Sequence, residues 1–394
     1  MIEKILAYIL ACCNNSEFEQ TTVALISENL KISRSQVSVV LNKLVKENKL
    51  IRIESKPFCF ISVEYLKEKG IPFKNSLYAS IDDLLSNQEK KDFEKLVGMN
   101  HSLAQTVKQC KATISYPPNG LPMLLYGPTG TGKSLIAKLT YEWARNQGVI
   151  SKNGQFVQVN CSEYANNPEL LTANLFGHVK GAFTGAEKDN EGLIALADNG
   201  VLFLDEVHEL KAECQEKLFL FMDQGIYHRV GDNEKWYKSN VRIVFATTEN
   251  PDKVLLKTLM RRIPMTITIP SLEQRGTQER IELLHDIFSQ EEKRLDCQIK
   301  ISSKVYNALL QSKMPGNIGQ LKSSVQSCCI NSLFDKVNDE LVIHLDSLPK
   351  DLLQQVYANQ KTVLDDDEYI YVEDLQGYYN GTKEILQLND SLLA

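Results

Sequence analysis

Residues 123–134 have the sequence MLLYGPTGTGKS, in which a short apolar stretch leads into a glycine-rich loop that ends in Lys133 and Ser134. The loop fits the pattern G-x-x-x-x-G-K-[ST] and opens a helical pattern, which is the context of a phosphate-binding loop. Backbone amides and the helix start would surround phosphates, Lys133 would reach the β- and γ-phosphates, and Ser134 would hold Mg²⁺. We predict that ATP and Mg²⁺ bind here, and the predicted binding residues are Gly127, Pro128, Thr129, Gly130, Thr131, Gly132, Lys133 and Ser134.

A second apolar stretch, VLFLDE at residues 201–206, ends in two carboxylates. An apolar strand that ends in acids is the expected partner of a phosphate-binding loop, in which Asp205 would complete the magnesium site and Glu206 would polarise the attacking water. The alternative is a strand-end turn whose acids are merely solvated. The nearby phosphate-binding loop favours the catalytic interpretation.

Between these two stretches lies the hexapeptide GAFTGA at residues 181–186, which follows LFGHVK at residues 175–180. Small residues around one Phe and one Thr make a poor core element. The hexapeptide therefore predicts a mobile loop with an exposed apolar tip, and the alternative is a tight β-turn.

These three motifs closely resemble the AAA+ domain of bacterial sigma-54-dependent transcription activators, a family for which GAFTGA is the signature. The resemblance covers roughly residues 93–335. It implies ATP hydrolysis in a homo-oligomeric ring, a hexamer, and a loop that contacts sigma-54 in the RNA polymerase holoenzyme. The residues implied in this contact are Gly181, Ala182, Phe183, Thr184, Gly185 and Ala186, with Phe183 and Thr184 as its centre.

The resemblance also assigns roles to three polar residues outside these motifs. Asn160 matches an asparagine that senses the γ-phosphate and orients Glu206, although an Asn at a strand end is otherwise a turn residue. Arg261 and Arg262 fall where the family places an arginine finger that reaches the nucleotide of the next subunit. The sequence does not distinguish the two arginines, and a solvated pair is the alternative.

Two positions depart from the family pattern. Thr248 stands where the sensor after the fourth strand is usually Asn, and a threonine can still donate a hydrogen bond to water or phosphate. Gly319, within GNIGQL at residues 316–321, stands where the lid usually carries a sensor arginine. We therefore expect nucleotide affinity or coupling to differ from the family norm.

Apolar strand-like stretches alternate with helical patterns through residues 93–270. This alternation predicts an α/β fold, in which a parallel sheet is flanked by helices. Residues 271–345 look purely helical and are predicted to form a C-terminal lid. The predicted strands are Met123–Tyr126, Phe156–Val159, Val201–Leu204, Val241–Ala246 and Thr266–Ile269.

Residues 1–75 predict a winged helix-turn-helix DNA-binding domain, because two helical patterns joined by a short turn precede two β-like stretches. Residues 31–56 contain seven Lys and Arg against two Asp and Glu. We predict DNA contacts from Arg34, Ser35, Gln36 and Ser38 to base edges and from Lys43, Lys46 and Lys49 to phosphates. A solvated basic helix is the alternative. Residues 76–92 are polar and are predicted to be a linker.

An N-terminal helix-turn-helix resembles the LevR-like branch of the family, which controls sugar phosphotransferase operons. This resemblance implies sugar phosphotransferase proteins as further partners. Residues 351–394 contain two Lys and Arg against nine Asp and Glu. We interpret residues 346–394 as an acidic segment that begins a truncated phosphotransferase regulation domain, and we expect this segment to be mobile.

Composition limits the remaining classes. The 394 residues are 43% hydrophobic and 24% charged, with a formal net charge of −6, which excludes a collagen-like or wholly disordered chain. No apolar stretch reaches the roughly 18 residues of a membrane span. Nine cysteines without a C-x-x-C pair indicate neither a disulfide framework nor a zinc site, so we expect a cytoplasmic protein without a membrane partner.

The leading hypothesis is a DNA-binding ATPase that remodels sigma-54 RNA polymerase for promoter opening. A second hypothesis is a DNA-binding regulator whose AAA+ domain only binds nucleotide and oligomerises, as Gly319 suggests. A third is a AAA+ remodeller of another protein, against which the GAFTGA hexapeptide argues.

Overall fold

The chain divides into two compact units, Met1–Lys91 and Asp92–Ala394. The structure is a computed structural model. It describes residues 2–15, 18–54, 57–69, 73, 76–78, 81, 84, 92–336, 339–359 and 368–378.

In its described residues, the first unit contains three helices, an antiparallel hairpin and a short fourth helix. Strand Leu50–Ile53 pairs with Cys59–Ser62 in antiparallel and with Leu77–Tyr78 in parallel orientation. The elements are α1 (Ile2–Asn14), α2 (Val23–Leu30), α3 (Arg34–Lys46), β1 (Leu50–Ile53), β2 (Cys59–Ser62), α4 (Val63–Glu68) and β3 (Leu77–Tyr78).

Helices α2 and α3 each begin after an N-cap residue with a hydroxyl side chain. The Thr22 side chain accepts a hydrogen bond from the Leu25 amide, and the Ser33 side chain accepts one from the Gln36 amide. Helix α3 buries Val37, Val40, Leu41 and Leu44, which lie at helical spacing. The predicted order of helix, turn, helix and hairpin is therefore present.

The predicted linker at residues 76–92 is partly incorrect. Leu77 and Tyr78 form β3 alongside β1, and Leu84 is fully buried in the core of the first unit. The segment is mostly polar, which suggested a linker, but its few apolar side chains are enough to attach it to the core of the first unit. Residues 79–80, 82–83 and 85–91 of that segment lie outside the described residues.

The second unit contains a five-stranded sheet in the order β10-β4-β9-β6-β5, with every pairing parallel. The three inner strands are nearly continuous apolar runs, as expected for strands covered on both faces, whereas the two edge strands alternate apolar and polar residues. The predicted strand positions are confirmed to within one residue. The strands are β4 (Met123–Tyr126), β5 (Phe156–Asn160), β6 (Val201–Asp205), β9 (Arg242–Thr247) and β10 (Met265–Thr268).

Two hydrophobic cores lie on opposite faces of this sheet. Along β6, Leu202 and Leu204 belong to one core and Val201 and Phe203 to the other, because successive strand residues point to opposite faces. A small antiparallel hairpin consists of β7 (Ile226–Tyr227) and β8 (Tyr237–Lys238). The helices are α5 (Ala104–Ile114), α6 (Lys133–Asn146), α7 (Pro168–Phe176), α8 (Leu193–Leu196), α9 (Ala212–Gln224), α10 (Pro251–Val254) and α11 (Lys257–Met260).

The lid that follows is not purely helical, so that prediction is wrong. Its central strand Gln298–Ser302 pairs in parallel with Glu340–Ile343 and antiparallel with Tyr369–Tyr371. Ile299 and Ile301 alternate with polar residues and are buried, which is the period of a strand. The elements are α12 (Thr277–Leu295), β11 (Gln298–Ser302), α13 (Ser303–Gln311), α14 (Asn317–Asn331), β12 (Glu340–Ile343), α15 (Lys350–Asn359) and β13 (Tyr369–Tyr371).

The described part of the acidic segment belongs to this lid, contrary to the prediction of a separate domain. Leu352, Ile370 and Leu375 are buried in the same core as the lid helices. The Tyr306 hydroxyl donates a hydrogen bond to the Leu375 carbonyl over 3.3 Å. Apolar residues spaced among the acids therefore complete the lid core. The acidic run at residues 365–367 and residues 379–394 lie outside the described residues.

None of the described helices combines the length and the apolarity that crossing a bilayer requires. The nine cysteines are free thiols, and burial raises the pKa of the Cys110 thiol to about 12. Within the described ranges, no group of three or more His, Cys, Asp or Glu side chains is placed to hold a metal ion.

Candidate functional site

The glycine-rich loop joins β4 to α6 at the carboxyl edge of the sheet, where ligands bind in open α/β folds. Gly130 and Gly132 have φ angles of 75° and 96°, a left-handed conformation that glycine adopts without strain. A cavity of about 390 Å³ lies against this loop. It is lined by loop residues and the start of α6, by Asp205 and Glu206, and by Gly319 and other lid residues.

Lys133 lies at the first position of α6 and is 6% exposed. Its ammonium donates hydrogen bonds to the carbonyls of Gly127 over 2.9 Å and Pro128 over 3.2 Å. Burial lowers the pKa of the Lys133 ammonium, and the nearby Glu206 and Asp205 carboxylates oppose this shift. The loop carbonyls therefore hold the ammonium at the cavity.

Ser134 and Asp205 meet across the cavity floor. The Ser134 hydroxyl donates a hydrogen bond to Asp205 Oδ2 over 2.8 Å, although the two residues are 71 positions apart. The other carboxylate oxygen of Asp205 accepts a hydrogen bond from the Glu206 amide over 3.0 Å. A hydroxyl beside a carboxylate is a pair of hard oxygen donors of the kind that Mg²⁺ takes together with phosphate oxygens. The two residues therefore fit the predicted magnesium site.

The Glu206 carboxylate has partners on a neighbouring strand and on its own turn. Thr248, directly after β9, donates a hydrogen bond to Glu206 Oε2 over 3.0 Å. His208 Nδ1 lies 3.3 Å from the same oxygen and 3.1 Å from the Thr247 hydroxyl. Sequence reasoning missed His208, because the order of the residues does not indicate that its ring turns back to Glu206.

Asn160 lies at the end of β5, in register with Asp205 on β6. Its side-chain oxygen accepts a hydrogen bond from the Ser162 amide over 3.1 Å and caps the turn that follows. Between described residues, the polar contacts of the Glu206 carboxylate are those with Thr248 and with His208. A hydrogen bond between Asn160 and Glu206 is not among those of the described residues; such a bond would use the amide nitrogen of Asn160, which the cap does not engage.

Lid residues hold three successive carbonyls of the glycine-rich loop. The Asn317 amide group donates to the Thr129 carbonyl over 2.8 Å, and the Gly319 amide donates to the Gly130 carbonyl over 3.1 Å. Arg275 donates to the next carbonyl, that of Thr131, over 2.8 Å. These contacts were not predicted. From the sequence, Gly319 was noted because it stands where the lid usually carries a sensor arginine, and that pattern does not predict backbone contacts with the loop.

The GAFTGA hexapeptide forms a closed turn. The Gly181 amide donates to the Ala186 carbonyl over 2.9 Å, and the Ala186 amide donates to the Phe183 carbonyl over 3.0 Å. Phe183 is 39% exposed, and its ring packs against His178 at 4.9 Å between centroids. Thr184 is exposed at the tip. The geometry combines both sequence interpretations, a tight turn and a partly exposed aromatic tip.

Comparison with known proteins identifies the domain that carries these features. Residues 96–267 match the family model described as Sigma-54 interaction domain. The chain carries a sigma-54 interaction domain. The resemblance to LevR-like sigma-54 activators, stated from the motifs, is thereby confirmed.

Curated relatives extend the similarity beyond the interaction domain. The transcriptional regulatory protein LevR of Bacillus subtilis is 42% identical over 350 residues, which cover 86% of this chain and 37% of LevR. The transcriptional regulatory protein DagR of Salmonella typhimurium is 38% identical over 317 residues, which cover 78% of this chain and 34% of DagR. The chain thus spans little more than a third of the length of these relatives.

Solved structures support the fold of the interaction domain. NtrX from Brucella abortus in complex with ATP has a TM-score of 0.56 and 23% identity, and the match covers 73% of this chain and 62% of NtrX. The complex of NtrX with ADP has a TM-score of 0.54 and 24% identity, and covers 73% and 61%. At these identities the likeness confirms the AAA+ fold alone.

The arginine pair of the interaction domain lies after α11, and its two members differ in their contacts. Arg262 forms two hydrogen bonds to Asp223, at 2.7 Å and 2.5 Å, and its guanidinium lies 4.6 Å from the centre of the Phe219 ring. Hydrogen bonding from Arg262 lowers the pKa of the Asp223 carboxyl. Arg261 is exposed, and none of the side-chain hydrogen bonds or ion pairs between described residues includes it. Arg261 is therefore the arginine free to reach another molecule.

In the first unit, the predicted DNA-contacting residues lie on the exposed side of α3, except Lys49, which follows the helix and pairs with Glu47 over 3.1 Å. Arg34, Ser35, Gln36 and Lys43 are exposed, and Ser38 is half-buried. The Lys43 ammonium lies 3.8 Å from Glu47, one helical turn away, in a solvent-exposed pair. The opposite face of α3 packs into the core, so the polar face is accessible along the described length of the helix.

Proposed function

We propose that this protein hydrolyses ATP to activate transcription by sigma-54 RNA polymerase. The observation that carries the proposal is the convergence of Lys133, Ser134, Asp205 and Glu206 at one cavity. They lie in the same sigma-54 interaction domain as the GAFTGA turn. NtrX, which has a similar fold, was solved in complex with ATP and with ADP, which supports nucleotide binding by this domain.

Different residues around the cavity have different roles in phosphoryl transfer. Lys133 exchanges the loop carbonyls it now contacts for the phosphates of ATP, where its charge stabilises the transferring phosphoryl group. Ser134 and Asp205 would hold Mg²⁺, which when bound neutralises charge on the β- and γ-phosphates.

Glu206 accepts a hydrogen bond from the attacking water and orients it as a base. A base must be held in position to be effective, and the Thr248 hydroxyl and His208 ring both hold Glu206 Oε2. In a homo-oligomeric ring, which we propose to be a hexamer, Arg261 reaches the nucleotide of the neighbouring subunit and stabilises transition-state charge.

Hydrolysis moves the GAFTGA turn against sigma-54. Phe183 and Thr184 present an apolar ring and a hydroxyl at the exposed tip, which suits contact with a protein surface. The remaining residues of the hexapeptide form the turn that carries this tip. Similarity to LevR and DagR supports the role of this domain in transcription regulation.

The first unit binds DNA upstream of the promoter through the polar face of α3. Arg34, Ser35, Gln36 and Ser38 face base edges, and Lys43 contacts a phosphate. On the LevR-like resemblance we extend the proposal to sugar phosphotransferase operons, to regulation by phosphotransferase proteins, and to a cytoplasmic location.

The test is co-elution of this chain with purified sigma-54, with and without ADP–aluminium fluoride, which mimics the transition state of ATP hydrolysis. We expect a complex that depends on this nucleotide analogue, together with steady-state ATP turnover. Glu206→Ala is the matched variant: it should still bind ATP, because the phosphate-binding loop is intact, but it should not turn ATP over.

Hydrolysis without a sigma-54 complex would leave the ATPase in place and direct the search to another protein target. Normal turnover by Glu206→Ala would contradict the assigned base. ATP binding with neither turnover nor complex formation would favour the alternative, a DNA-binding regulator whose AAA+ domain only binds nucleotide and oligomerises.

A further inference from the structure

The lid contributes one charged side chain to the lining of the nucleotide cavity, that of Lys322. The other charged residues of the lining are Lys133, Asp205 and Glu206, which all belong to the α/β part of the domain. The α/β part of the domain therefore contributes two carboxylates and one ammonium to the cavity lining. Besides Lys133 and the Mg²⁺ that Ser134 and Asp205 would hold, Lys322 is placed to add positive charge to an anionic phosphate chain from the lid.

Contacts between the lid and the glycine-rich loop fix the position of Lys322. The Gly319 amide donates to the Gly130 carbonyl over 3.1 Å, and Asn317 donates to the Thr129 carbonyl over 2.8 Å, so the first turn of α14 is tied to the loop. Residues three apart on a helix lie on one face, with Cβ atoms about 5–6 Å apart. Lys322 thus stands one turn along α14 from the point of attachment.

The Lys322 side chain is exposed, so its long, flexible stem can turn toward a ligand. Its ammonium is absent from the ion pairs between described residues. An ammonium without a protein anion as partner is available to a phosphate oxygen. Gly319 provides no side chain on the same face, so it leaves space over the loop.

We propose that Lys322 is the lid residue that binds the phosphate chain of the nucleotide. Its ammonium donates hydrogen bonds to phosphate oxygens, and through α14 it joins the lid to the bound nucleotide. This inference rests on the proposed function, because it takes ATP as the ligand of the cavity.

The experiment measures binding of a fluorescent ATP analogue to the full chain by anisotropy. Lys322→Ala should weaken binding by about tenfold or more, the usual effect of losing a hydrogen bond between two charged groups. Lys313→Ala is the matched control. Lys313 is also an exposed lysine of the lid, lies outside the cavity lining, and should bind as the wild type does.

The double variant Gly319→Arg with Lys322→Ala separates binding from a structural role. A Cβ atom at Gly319 would lie 3.5 Å from the Gly130 Cα atom, an ordinary contact, so the backbone there accepts the start of a side chain. Arginine there returns a cation to the same helix face and should recover most of the lost affinity. Wild-type affinity in Lys322→Ala, or a loss that arginine does not recover, would overturn the role of Lys322.

Different results would refute the proposed function and the role of Lys322. If the wild-type chain bound no ATP, the function itself would be refuted. If the wild type bound ATP and Lys133→Ala did not, while Lys322→Ala bound normally, the cavity would remain the nucleotide site and only the lid contact would be wrong.

Discussion

The Thr248 hydroxyl donates a hydrogen bond to the Glu206 carboxylate over 3.0 Å, from the end of one strand to the end of its neighbour. The contact links the residue that follows β9 to the proposed base that follows β6. The sequence analysis noted only that Thr248 replaces the family's usual asparagine. The structure shows that its hydroxyl contacts Glu206.

Thr248→Ala should lower ATP turnover by about tenfold and leave ATP affinity unchanged, because the change removes a hydrogen bond that orients the base. Thr248→Asn retains a donor and should preserve most of the activity. Steady-state turnover and equilibrium nucleotide binding check both variants. Wild-type turnover in Thr248→Ala would show that Glu206 does not depend on this contact.

Arg261→Ala should reduce turnover by about a thousandfold, the lower range for loss of an arginine finger, while nucleotide binding persists. Arg262→Ala should act mainly on local structure, because Arg262 pairs with Asp223 and stacks on Phe219. Turnover, nucleotide binding and thermal unfolding of the two variants separate these effects. If Arg262→Ala alone abolished turnover of a stable protein, the assignment of the finger would be reversed.

Asn317 ties the lid to the glycine-rich loop and adopts a left-handed φ of 54°. It donates to the Thr129 carbonyl and accepts from the Leu272 amide, and it is buried. Its amide group also donates to the Pro315 carbonyl over 3.2 Å. Asn317→Gly keeps the backbone conformation but loses all three bonds, so we expect a loss of about 1–3 kcal/mol in the free energy of unfolding.

Asn317→Ala should cost about 1 kcal/mol more than Asn317→Gly, because alanine disfavours the left-handed conformation. Urea unfolding of the two variants measures the difference. Both should also bind ATP more weakly, since the loop loses its support. Unchanged ATP affinity would mean that the loop keeps its shape without the lid.

Thr184→Ala should hydrolyse ATP at the wild-type rate and fail to form the complex with sigma-54, because Thr184 is exposed at the tip of the GAFTGA turn and lies outside the nucleotide cavity. Lys188→Ala, an exposed change just beyond the turn, is the control and should behave as the wild type. Co-elution and turnover are measured on the same preparations. Full complex formation by Thr184→Ala would refute the role of the tip.

Lys43→Ala should reduce the slope of log affinity against log salt by about 0.9, the effect of losing one phosphate contact. Arg34→Ala should instead change the preference among DNA sequences, since a base contact specifies and a phosphate contact positions. Anisotropy on DNA fragments selected from a random pool distinguishes the two. Lys67→Ala, on α4, removes the same charge and should leave the slope unchanged. Equal slopes for Lys43→Ala and the wild type would place Lys43 outside the interface.

The sheet and its loops were predictable because local sequence carries their physics. Strands buried on both faces are continuous apolar runs, and their ends carry the glycine, hydroxyl and carboxylate groups that nucleotide chemistry needs. Strand β11 was missed because QIKIS at residues 298–302 is short and lies among helical patterns. Its partner β13 begins 67 residues after β11 ends, so the pairing leaves no local sign.

The sequence by itself determined the nucleotide loop, the acid pair, the parallel sheet and the GAFTGA turn, because each depends on neighbouring residues or on the period of a strand. Only the tertiary structure decided which arginine is free, since Asp223 lies 39 residues from Arg262. It alone joined Asn317 to Thr129 across 188 residues and turned His208 back to Glu206. Such contacts depend on how separate elements pack together, and packing brings together side chains whose types and spacing along the chain do not predict that they meet.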